Sequence, residues 1–204
     1  SYVRALSEFC NNDLSAFYFD IRKDTLYCEV NPETGFQTDK RRAYRTVLDT
    51  MFEALVRWAA PVLVFTSEEV WATRWPERGS VHLLEWPMNG GTRDPALSSR
   101  WSAIRIARIS VVEMIEPLRR AKTIGSSLEA DVTFDTTDLD ALPGGFDFQP
   151  KLMAELAIVA AIQAGPNAIA KTDLNKCGRC WRHLPEVTED GDLCDRCESV
   201  VHAS

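Results

Sequence analysis

The sequence predicts a mainly α-helical protein with three parts: a helix bundle, a small α/β unit and a cysteine-rich ribbon near the C-terminus. Apolar residues follow helical spacing through the first part, an alternating pattern begins near residue 127, and two Cys-x2-Cys pairs come last. We place the three parts at residues 1–95, 96–174 and 175–204. The hydrophobic fraction of 45% is sufficient for an ordinary packed core.

The first part is predicted to be a bundle of helices. Residues 3–28 form one long helical pattern, which an Asn-Pro pair at 31–32 and Gly35 interrupt. From Arg41 a second helical pattern runs for about four turns, and Pro61 ends it. Its apolar positions are Tyr44, Val47, Leu48, Met51, Phe52, Leu55 and Val56.

A third helix of the bundle is predicted to begin at a capping box over residues 66–69, with Val70 and Trp71 on its inner side. Residues 79–87 are predicted to be a short extended piece that closes the end of the bundle. The proline and glycine residues that follow indicate a linker over residues 87–95.

The middle part is predicted to combine a long helix with short strands. The helix covers about residues 98–122, where Pro117 should kink or split it. Its apolar positions are Trp101, Ile104, Ala107, Val111, Met114, Ile115 and Leu118. A strand, a short helix, a buried strand and an edge strand are then expected, in that order, over residues 127–134, 147–156, 156–163 and 167–174.

Two Cys-x2-Cys pairs, separated by thirteen residues, predict a metal site. A two-residue spacer lets both sulfurs of a tight turn point at one ion, and two such turns supply the four thiolates that a structural zinc prefers. The loop between the pairs, with Pro185 and an Asp-Gly turn at 190–191, is predicted to be a strand, a turn and a returning strand, as in a zinc ribbon. The ligands are predicted to be Cys177, Cys180, Cys194 and Cys197, which leave no open position for a catalytic water.

Other interpretations of the cysteines are weaker. Two disulfides would need an oxidising compartment, iron–sulfur clusters usually show another spacing, and a redox pair occurs once rather than twice. His183 could replace one sulfur, but four thiolates already complete the coordination sphere, so we predict a surface histidine. Cys10 and Cys28 lie in apolar helical patterns and are predicted to be free thiols in a reducing cytosol.

The ribbon is predicted to have a basic side and an acidic side. Lys176, Arg179 and Arg182 lie around the first cysteine pair, whereas acids cluster over residues 186–195. Trp181 directly follows the first pair. An exposed aromatic ring beside cations can stack on an unpaired RNA base, but the same ring could instead anchor the ribbon on the preceding part, and the ribbon alone leaves both open.

Basic residues also cluster twice outside the ribbon. Such a cluster is most often a solvated helix face, and the second one, which lies nearer the ribbon in sequence, is the better candidate for RNA contact. The net charge of −7 argues against a protein that coats nucleic acid by charge alone, so any contact must be local. The members are Lys40, Arg41, Arg42 and Arg45 in the first cluster, and Arg119, Arg120 and Lys122 in the second.

Targeting and membrane signals are not expected to shape this chain. No run of about 18 apolar residues is present, so we expect no membrane span. The first residues lack the basic-then-apolar layout of a secretory signal. The sequence begins inside a helical pattern, which suggests a piece of a larger protein.

Several segments resemble a known family. Residues 121–132, "AKTIGSSLEADV", followed by "KCGRCWRH" at 176–183, resemble the C-terminal end of bacterial isoleucyl-tRNA synthetases. The preceding helical segments leave the valyl and leucyl enzymes open as well, and residues 135–150 do not align. The segments that resemble the anticodon-binding helical domain of class I aminoacyl-tRNA synthetases are residues 12–28, 41–71 and 80–87.

The resemblance implies a cytoplasmic, monomeric isoleucine–tRNA ligase of protein biosynthesis, which activates isoleucine with ATP and Mg²⁺. The family's nucleotide-binding signatures and editing domain are absent from these 204 residues, so no catalytic motif is expected here. The implied role is binding of the anticodon stem-loop of isoleucine tRNA, with the zinc ribbon needed for productive engagement. Trp181 matches the family position after the second cysteine.

Two other classes of function stay open. The first alternative is a zinc-ribbon module that binds proteins on a helical scaffold, which the overall acidity favours. The second is a DNA glycosylase, since that family also ends in a Cys-x2-Cys ribbon. A glycosylase of that kind needs an N-terminal proline nucleophile, and Ser1 does not provide one.

Overall fold

The computed structural model describes residues 1–31, 37–87, 94–140 and 146–202. These residues form two compact units, the first up to residue 87 and the second from residue 94 onward, with Val30 and Asn31 grouped with the second. The division into three parts at residues 95 and 174 stays a prediction. Among the described helices, none is both long and apolar enough to cross a membrane.

The first unit opens with one continuous helical stretch, as predicted. It consists of helix α1 (Tyr2–Glu8), a π-helical segment (Phe9–Phe19) and helix α2 (Asp20–Cys28). Phe9 and Asp20 keep right-handed helical dihedral angles, so the junctions do not break the stretch. The π-helical segment was not predicted, and the expected break signals at residues 32 and 35 lie outside the described residues.

Helix α3 (Asp39–Ala59) confirms the second helical pattern. Its first turn is capped by the Thr38 hydroxyl, which accepts a hydrogen bond from the Arg41 backbone N–H at 3.2 Å. Tyr44 and Val56 are buried as expected, whereas Val47 is exposed. The chain leaves the helix directly before Pro61, which forms part of a tight turn.

Helix α4 (Val64–Arg74) begins earlier than predicted, so the capping box at Thr66 is wrong. The turn after α3 is closed by the backbone instead: the N–H of Leu63 donates to the Ala59 carbonyl at 2.8 Å, and the N–H of Ser67 donates to the Leu63 carbonyl at 2.8 Å. No side-chain cap is needed to start the helix, and Thr66 lies inside it. The prediction that Trp71 faces inward is confirmed, since its side chain is fully buried.

A cluster of apolar side chains forms a core of the first unit, and residues 79–87 contribute to it. Their predicted extended form is wrong at Val81–Leu83, a 3₁₀ turn in which the Ser80 hydroxyl accepts from the His82 N–H at 3.2 Å. A second 3₁₀ turn, Pro76–Arg78, follows α4. The core comprises Val56, Ala60, Trp71 and Val81, with Phe52, Val70, Trp75 and Leu84 packed against it.

The second unit is organised around the 26-residue helix α5 (Pro95–Arg120). Asp94 caps it by accepting from the N–H groups of Ala96 and Leu97 at 2.9 and 3.1 Å. Pro117 does not split the helix, which continues through it to Arg120, although the proline has no N–H to donate to the Glu113 carbonyl. The linker predicted before it falls mostly on residues 88–93, outside the described residues. The buried face is Ala103, Ile104, Ala107, Val111 and Ile115.

A three-stranded sheet follows, in the order β2-β1-β3. A 3₁₀ turn (Ser127–Glu129) leads into β1 (Ala130–Phe134), which confirms the predicted strand. Strand β2 (Ala161–Ala164) pairs in parallel and strand β3 (Ala168–Lys171) pairs antiparallel, with Val132 opposite Ile162 on one side and Ile169 on the other. The predicted edge strand is therefore confirmed as β3.

Two short helices, α6 (Thr137–Asp140) and α7 (Pro150–Ala157), separate β1 from β2. The buried strand predicted over residues 156–163 is wrong in two respects: the last two residues of α7 occupy its first half, and within β2 only Ile162 is buried. Ile158 takes a left-handed conformation with φ of 58°, and the Val159 N–H donates to the Ala154 carbonyl at 3.1 Å. This helix cap delays the strand to residue 161.

Candidate metal centre

The four cysteines of the two predicted pairs lie together, with their sulfur atoms all within 4.8 Å of one another. The Sγ atoms of Cys180 and Cys194 are 3.8 Å apart. A tetrahedral zinc with Zn–S bonds of about 2.3 Å requires sulfur–sulfur edges of about 3.8 Å. Cys177, Cys194 and Cys197 are fully buried, and Cys180 is half-buried. The donor set, spacing and burial therefore fit a closed four-thiolate site.

Backbone hydrogen bonds shape the first cysteine pair. The Trp181 N–H donates to the Cys177 carbonyl at 3.0 Å, and the Cys177 N–H donates to the Arg182 carbonyl at 2.9 Å. Gly178 packs directly on the returning loop, where its N–H donates to Asp192 at 3.0 Å. A Cβ atom at this position would collide with the carbonyl oxygen of Gly191, so only glycine fits.

The second pair lies at the start of helix α8 (Asp195–His202), which was not predicted. Acidic Asp195 and Glu198 stand in its first turn and His202 in its last, an arrangement that complements the helix dipole and could have indicated the helix. The N–H of Glu198 donates to the Cys194 carbonyl at 2.9 Å, so the helix begins directly at the site.

The loop between the pairs is organised by polar side chains more than by strands. In the described part of this loop, one isolated bridge joins Lys176 and His183, in place of the two predicted strands. The Asn175 amide donates to the carbonyls of Val187 and Thr188 at 3.1 and 2.7 Å, and the Asp190 carboxylate accepts from the Lys176 N–H at 2.7 Å. The role of Asn175 was not predicted, because nothing in its spacing distinguishes it from an ordinary loop residue.

The pKa values of the clustered thiols differ from one another. Burial raises the pKa of Cys177, but backbone N–H groups of Cys180, Cys194 and Arg179 favour its thiolate and bring the pKa to about 6. Burial, together with the negative charge of neighbouring sulfurs, raises the pKa of Cys180 and Cys194 to about 11. Without an ion, Cys180 and Cys194 therefore stay protonated at neutral pH, and all four cysteines can be thiolates together only around a positive ion.

Trp181 and the basic residues around the first pair differ in their exposure to solvent. Trp181 is 64% exposed and adopts a left-handed conformation with φ of 64°, so its ring is not part of the described core. Lys176 and Arg179 are exposed and Arg182 is half-buried. The Arg179 guanidinium also lies 3.9 Å from the Cys197 sulfur, which links this cation to the thiolate cluster.

His183 differs from the predicted surface histidine. It is half-buried, and its Nδ1 atom lies 2.5 Å from the Leu174 carbonyl oxygen, where it can donate a hydrogen bond. It is not one of the four clustered metal-ligand candidates. Cys28 is buried as expected, whereas Cys10 is half-buried, and neither forms a disulfide with another described cysteine.

The two basic clusters outside the cysteine site lie in different units. In the first unit, Lys40 pairs with Glu29 at 3.2 Å and Arg42 pairs with Asp39, while Arg41 reaches the Glu29 carbonyl at 3.5 Å. In the second unit, both arginines of the cluster share Glu116, at 3.3 and 3.4 Å, and Lys122 follows with φ of 57°. The exposed residues of this second cluster are Arg119, Arg120 and Lys122.

Two known families match this chain, one over the N-terminal residues and one over the cysteine cluster. The family described as "Anticodon-binding domain of tRNA ligase" matches residues 1–134. The family described as "Zinc finger found in FPG and IleRS" matches residues 175–200, which include all four cysteines. This match and the sulfur cluster together support a zinc site.

Relatives with curated names agree with these families. Isoleucine–tRNA ligase of Zymomonas mobilis is 54% identical over 98% of this chain, and that of Gluconobacter oxydans is 44% identical over 98%. Isoleucine–tRNA ligase of Agrobacterium fabrum is 41% identical over 92% of this chain. The matches cover 22%, 21% and 20% of these relatives, so the chain spans about a fifth of their length. The chain belongs to the family of anticodon-binding domains of tRNA ligases, and its four cysteines lie in a zinc finger of the kind found in FPG and IleRS.

Proposed function

We propose that this chain is the tRNA-binding part of an isoleucine–tRNA ligase and that it holds the anticodon stem-loop of isoleucine tRNA. The observation that carries the proposal is the order of the two family matches, an anticodon-binding domain over residues 1–134 and a zinc finger over residues 175–200. Relatives named isoleucine–tRNA ligase match across both segments. Three functional parts, at residues 1–95, 96–174 and 175–204, belong to the same proposal.

One structural Zn²⁺ is held by the four thiolates in this proposal. The sulfur spacing and the burial of the cysteines support it, and four protein ligands leave no position for a reacting water. When bound, the ion supplies rigidity rather than chemistry. The proposed ligands are Cys177, Cys180, Cys194 and Cys197.

The RNA-binding surface is proposed to lie on the basic side of the metal centre. Trp181 stacks on an unpaired base of the anticodon loop, which is worth roughly 1–3 kcal/mol per base. Its exposure, the hydrogen bond from its N–H to the Cys177 carbonyl and the three cations near it in sequence support this role. Lys176, Arg179 and Arg182 hold phosphates or base edges, and a second contact is made by Arg119, Arg120 and Lys122.

The parent protein is proposed to attach isoleucine to its tRNA with ATP and Mg²⁺. Those cofactors belong to the parts of the relatives that this chain does not span, since it covers about a fifth of their length. We further propose a monomeric, cytoplasmic ligase. Its reducing surroundings would keep the thiolates available for the metal.

A tRNA titration tests the function. The 204-residue chain is titrated with isoleucine tRNA and with a valine tRNA, with and without a zinc chelator, and Trp181→Ala is measured beside it. We expect tighter binding of isoleucine tRNA, weaker binding after chelation, and at least roughly fivefold weaker binding by the variant with its zinc content unchanged. Equal affinity for both tRNAs would contradict a role in identity reading, and an unchanged Trp181→Ala would remove the stacking role.

The competing function is a protein-interaction module, which the net charge of −7 favours. Salt dependence separates the two. Binding of RNA releases counterions, so its affinity falls steeply as salt is added. An affinity for tRNA that hardly changes between low and moderate salt would support the protein-binding alternative.

A further inference from the structure

A groove of about 910 Å³ crosses the surface of the first unit, lined by residues of the π-helical segment, α2, α3 and α4. Apolar side chains form much of its lining, and arginines stand among them. We propose that this groove binds an unpaired stretch of RNA, with a base on its aromatic floor and phosphates at its arginines. The proposal rests on the tRNA-binding function and adds a second contact surface to it. The residues that carry it are Phe19, Gln37, Arg42, Arg45, Phe52 and Arg74.

The charge of the groove is positive. Three arginines line it, and Asp49 is the one acid among its lining residues. Arg45 is exposed and makes no hydrogen bond or ion pair with the residues that the structure describes, so its charge is available to a ligand. A cation over an apolar groove favours an anionic partner.

The other two arginines can exchange their partners. Arg42 pairs with Asp39, and its side chain is 68% exposed; Arg74 pairs with Asp49 at 3.3 Å, and its side chain is 54% exposed. Ion pairs this exposed contribute little to stability, whereas an arginine can bind a phosphate with two parallel hydrogen bonds. A phosphate can therefore recruit both arginines at little cost to the fold.

The floor offers a surface for a base. Phe19 is 38% exposed, which leaves part of its ring open to a ligand. Phe52 is held in place by Trp75, with ring centroids 5.7 Å apart, and Trp75 is in turn held by Trp71 at 4.3 Å. Gln37 adds an amide that can both donate and accept hydrogen bonds at a base edge. Aromatic rings beside cations are the features that bind single-stranded nucleic acid.

These two features together select the ligand. A duplex offers phosphates but keeps its bases paired, so it would contact the arginines and leave the aromatic floor of the groove exposed to water. An apolar peptide would cover the floor but leave Arg45 without a counter-charge. An unpaired RNA stretch satisfies both at once.

The groove gives the first of the two basic clusters a proposed RNA contact beside that of the second. In the second cluster, Arg119 and Arg120 already share Glu116. In the first cluster, Arg42 and Arg45 line the groove. Lys40 and Arg41 do not line the groove, and both bond to Glu29.

Matched single substitutions test the groove. Arg45→Ala and Phe19→Leu are compared with Arg4→Ala, an exposed arginine of the same unit that pairs with Glu8 outside the groove. Each chain is titrated with isoleucine tRNA at several salt concentrations, and an unpaired oligonucleotide of the anticodon-loop sequence and a duplex of the stem sequence are added as competitors. Circular dichroism confirms that the variants are folded.

The two groove variants should fail in different ways. Arg45→Ala should bind about fivefold more weakly at low salt and lower the slope of log affinity against log salt by about 0.7, the value for one single-strand phosphate. Phe19→Leu should bind about fivefold more weakly with no change in slope, because it removes a stacking ring and no charge. Arg4→Ala should match the unaltered chain, and the unpaired oligonucleotide should compete better than the duplex.

The remaining outcomes contradict either the groove proposal alone or the groove proposal together with the tRNA-binding function. If both groove variants behave like Arg4→Ala while the unaltered chain binds tRNA, the groove proposal is wrong and the tRNA-binding function stands. If only Arg45→Ala weakens binding, or if the duplex competes as well, no unpaired base lies in the groove and the proposal is equally wrong. If the unaltered chain does not bind tRNA, both the function and the groove proposal fail.

Discussion

Gly178 and Trp181 show how single residues shape the turn beside the cysteine cluster. Gly178 lets two backbone segments touch, because its N–H donates to Asp192 where a side chain would strike Gly191. Trp181 follows in a left-handed conformation that brings its N–H to the Cys177 carbonyl. A non-glycine residue accepts this conformation only where its surroundings hold it. The glycine therefore fixes the turn from which the exposed ring projects.

Substitution of Gly178 tests this dependence. Gly178→Ala should lower zinc affinity by about tenfold or more, because the methyl group forces the two loops apart, and overpacking of this kind costs about 1–3 kcal/mol. Zinc affinity is measured by competition with a chromogenic chelator. Gly125→Ala is the matched control: an added Cβ would lie 3.1 Å from Glu129 Oε1, the end of a flexible side chain that can move away. Equal zinc affinities for the two variants would show that the contact with Gly191 is unimportant.

The packing of α3 against α4 depends on one carboxylate between arginines. Glu53 on α3 bonds to Arg57 and, at 3.0 Å, to Arg78 in the 3₁₀ turn after α4. The Arg78 guanidinium also lies 4.9 Å from the ring centroids of both Trp71 and Trp75. The carboxylate thus holds a cation over the aromatic core and ties three elements together.

Acid should weaken this link. Burial pushes the pKa of Glu53 up, but hydrogen bonds from Arg78 and Arg57 outweigh it and hold the pKa below its ordinary value. A lowered pKa in the folded state stabilises the fold above the unfolded pKa of about 4.3, and this stability is lost as pH falls through the folded pKa. Glu53→Gln should therefore lower the free energy of unfolding at pH 7 by up to about 1 kcal/mol, with the difference shrinking toward pH 3.

Urea unfolding at several pH values measures this effect. Glu77→Gln serves as control, since Glu77 is exposed and forms no hydrogen bond or ion pair with residues inside the described ranges. A Glu53→Gln difference that stays constant from pH 7 to pH 3 would show that the ionised carboxylate does not contribute.

The elements differ in how far the sequence determines them. Helices α3 and α5 were predicted because burial of one face imposes the spacing of their apolar residues. The start of α4 was missed because backbone groups close the turn before it, and a backbone bond leaves no trace in residue type. The four sulfur ligands were predicted from spacing alone, but α8 was missed because it is short and is positioned by the cysteines at its start. The groove was missed because its lining residues come from four elements that meet only in the fold.

The molecule as a whole separates a helical unit from a unit that carries the metal centre. The apolar core around Trp71 lies entirely in the first unit, and the four cysteines lie entirely in the second. With a net charge of −7, tRNA binding has to rely on local basic surfaces instead of on overall attraction. Two RNA-binding surfaces are proposed, one in each unit. We expect the surface beside the cysteines to depend on the metal and the groove of the first unit not to depend on it.

Removal of zinc should therefore affect the two units differently. A chelator takes away the cation that four buried thiolates require, so residues 175–202 should lose protection from hydrogen exchange, whereas residues 37–87 should keep theirs because their core does not involve the metal. Zinc should be lost more readily at pH 6 than at pH 8, because binding must displace protons from Cys180 and Cys194, whose pKa is about 11 without the ion. Hydrogen exchange followed by mass spectrometry measures both segments in one sample. Loss of protection in residues 37–87 as well would show that the first unit depends on the metal, and the groove could then not bind RNA independently of it.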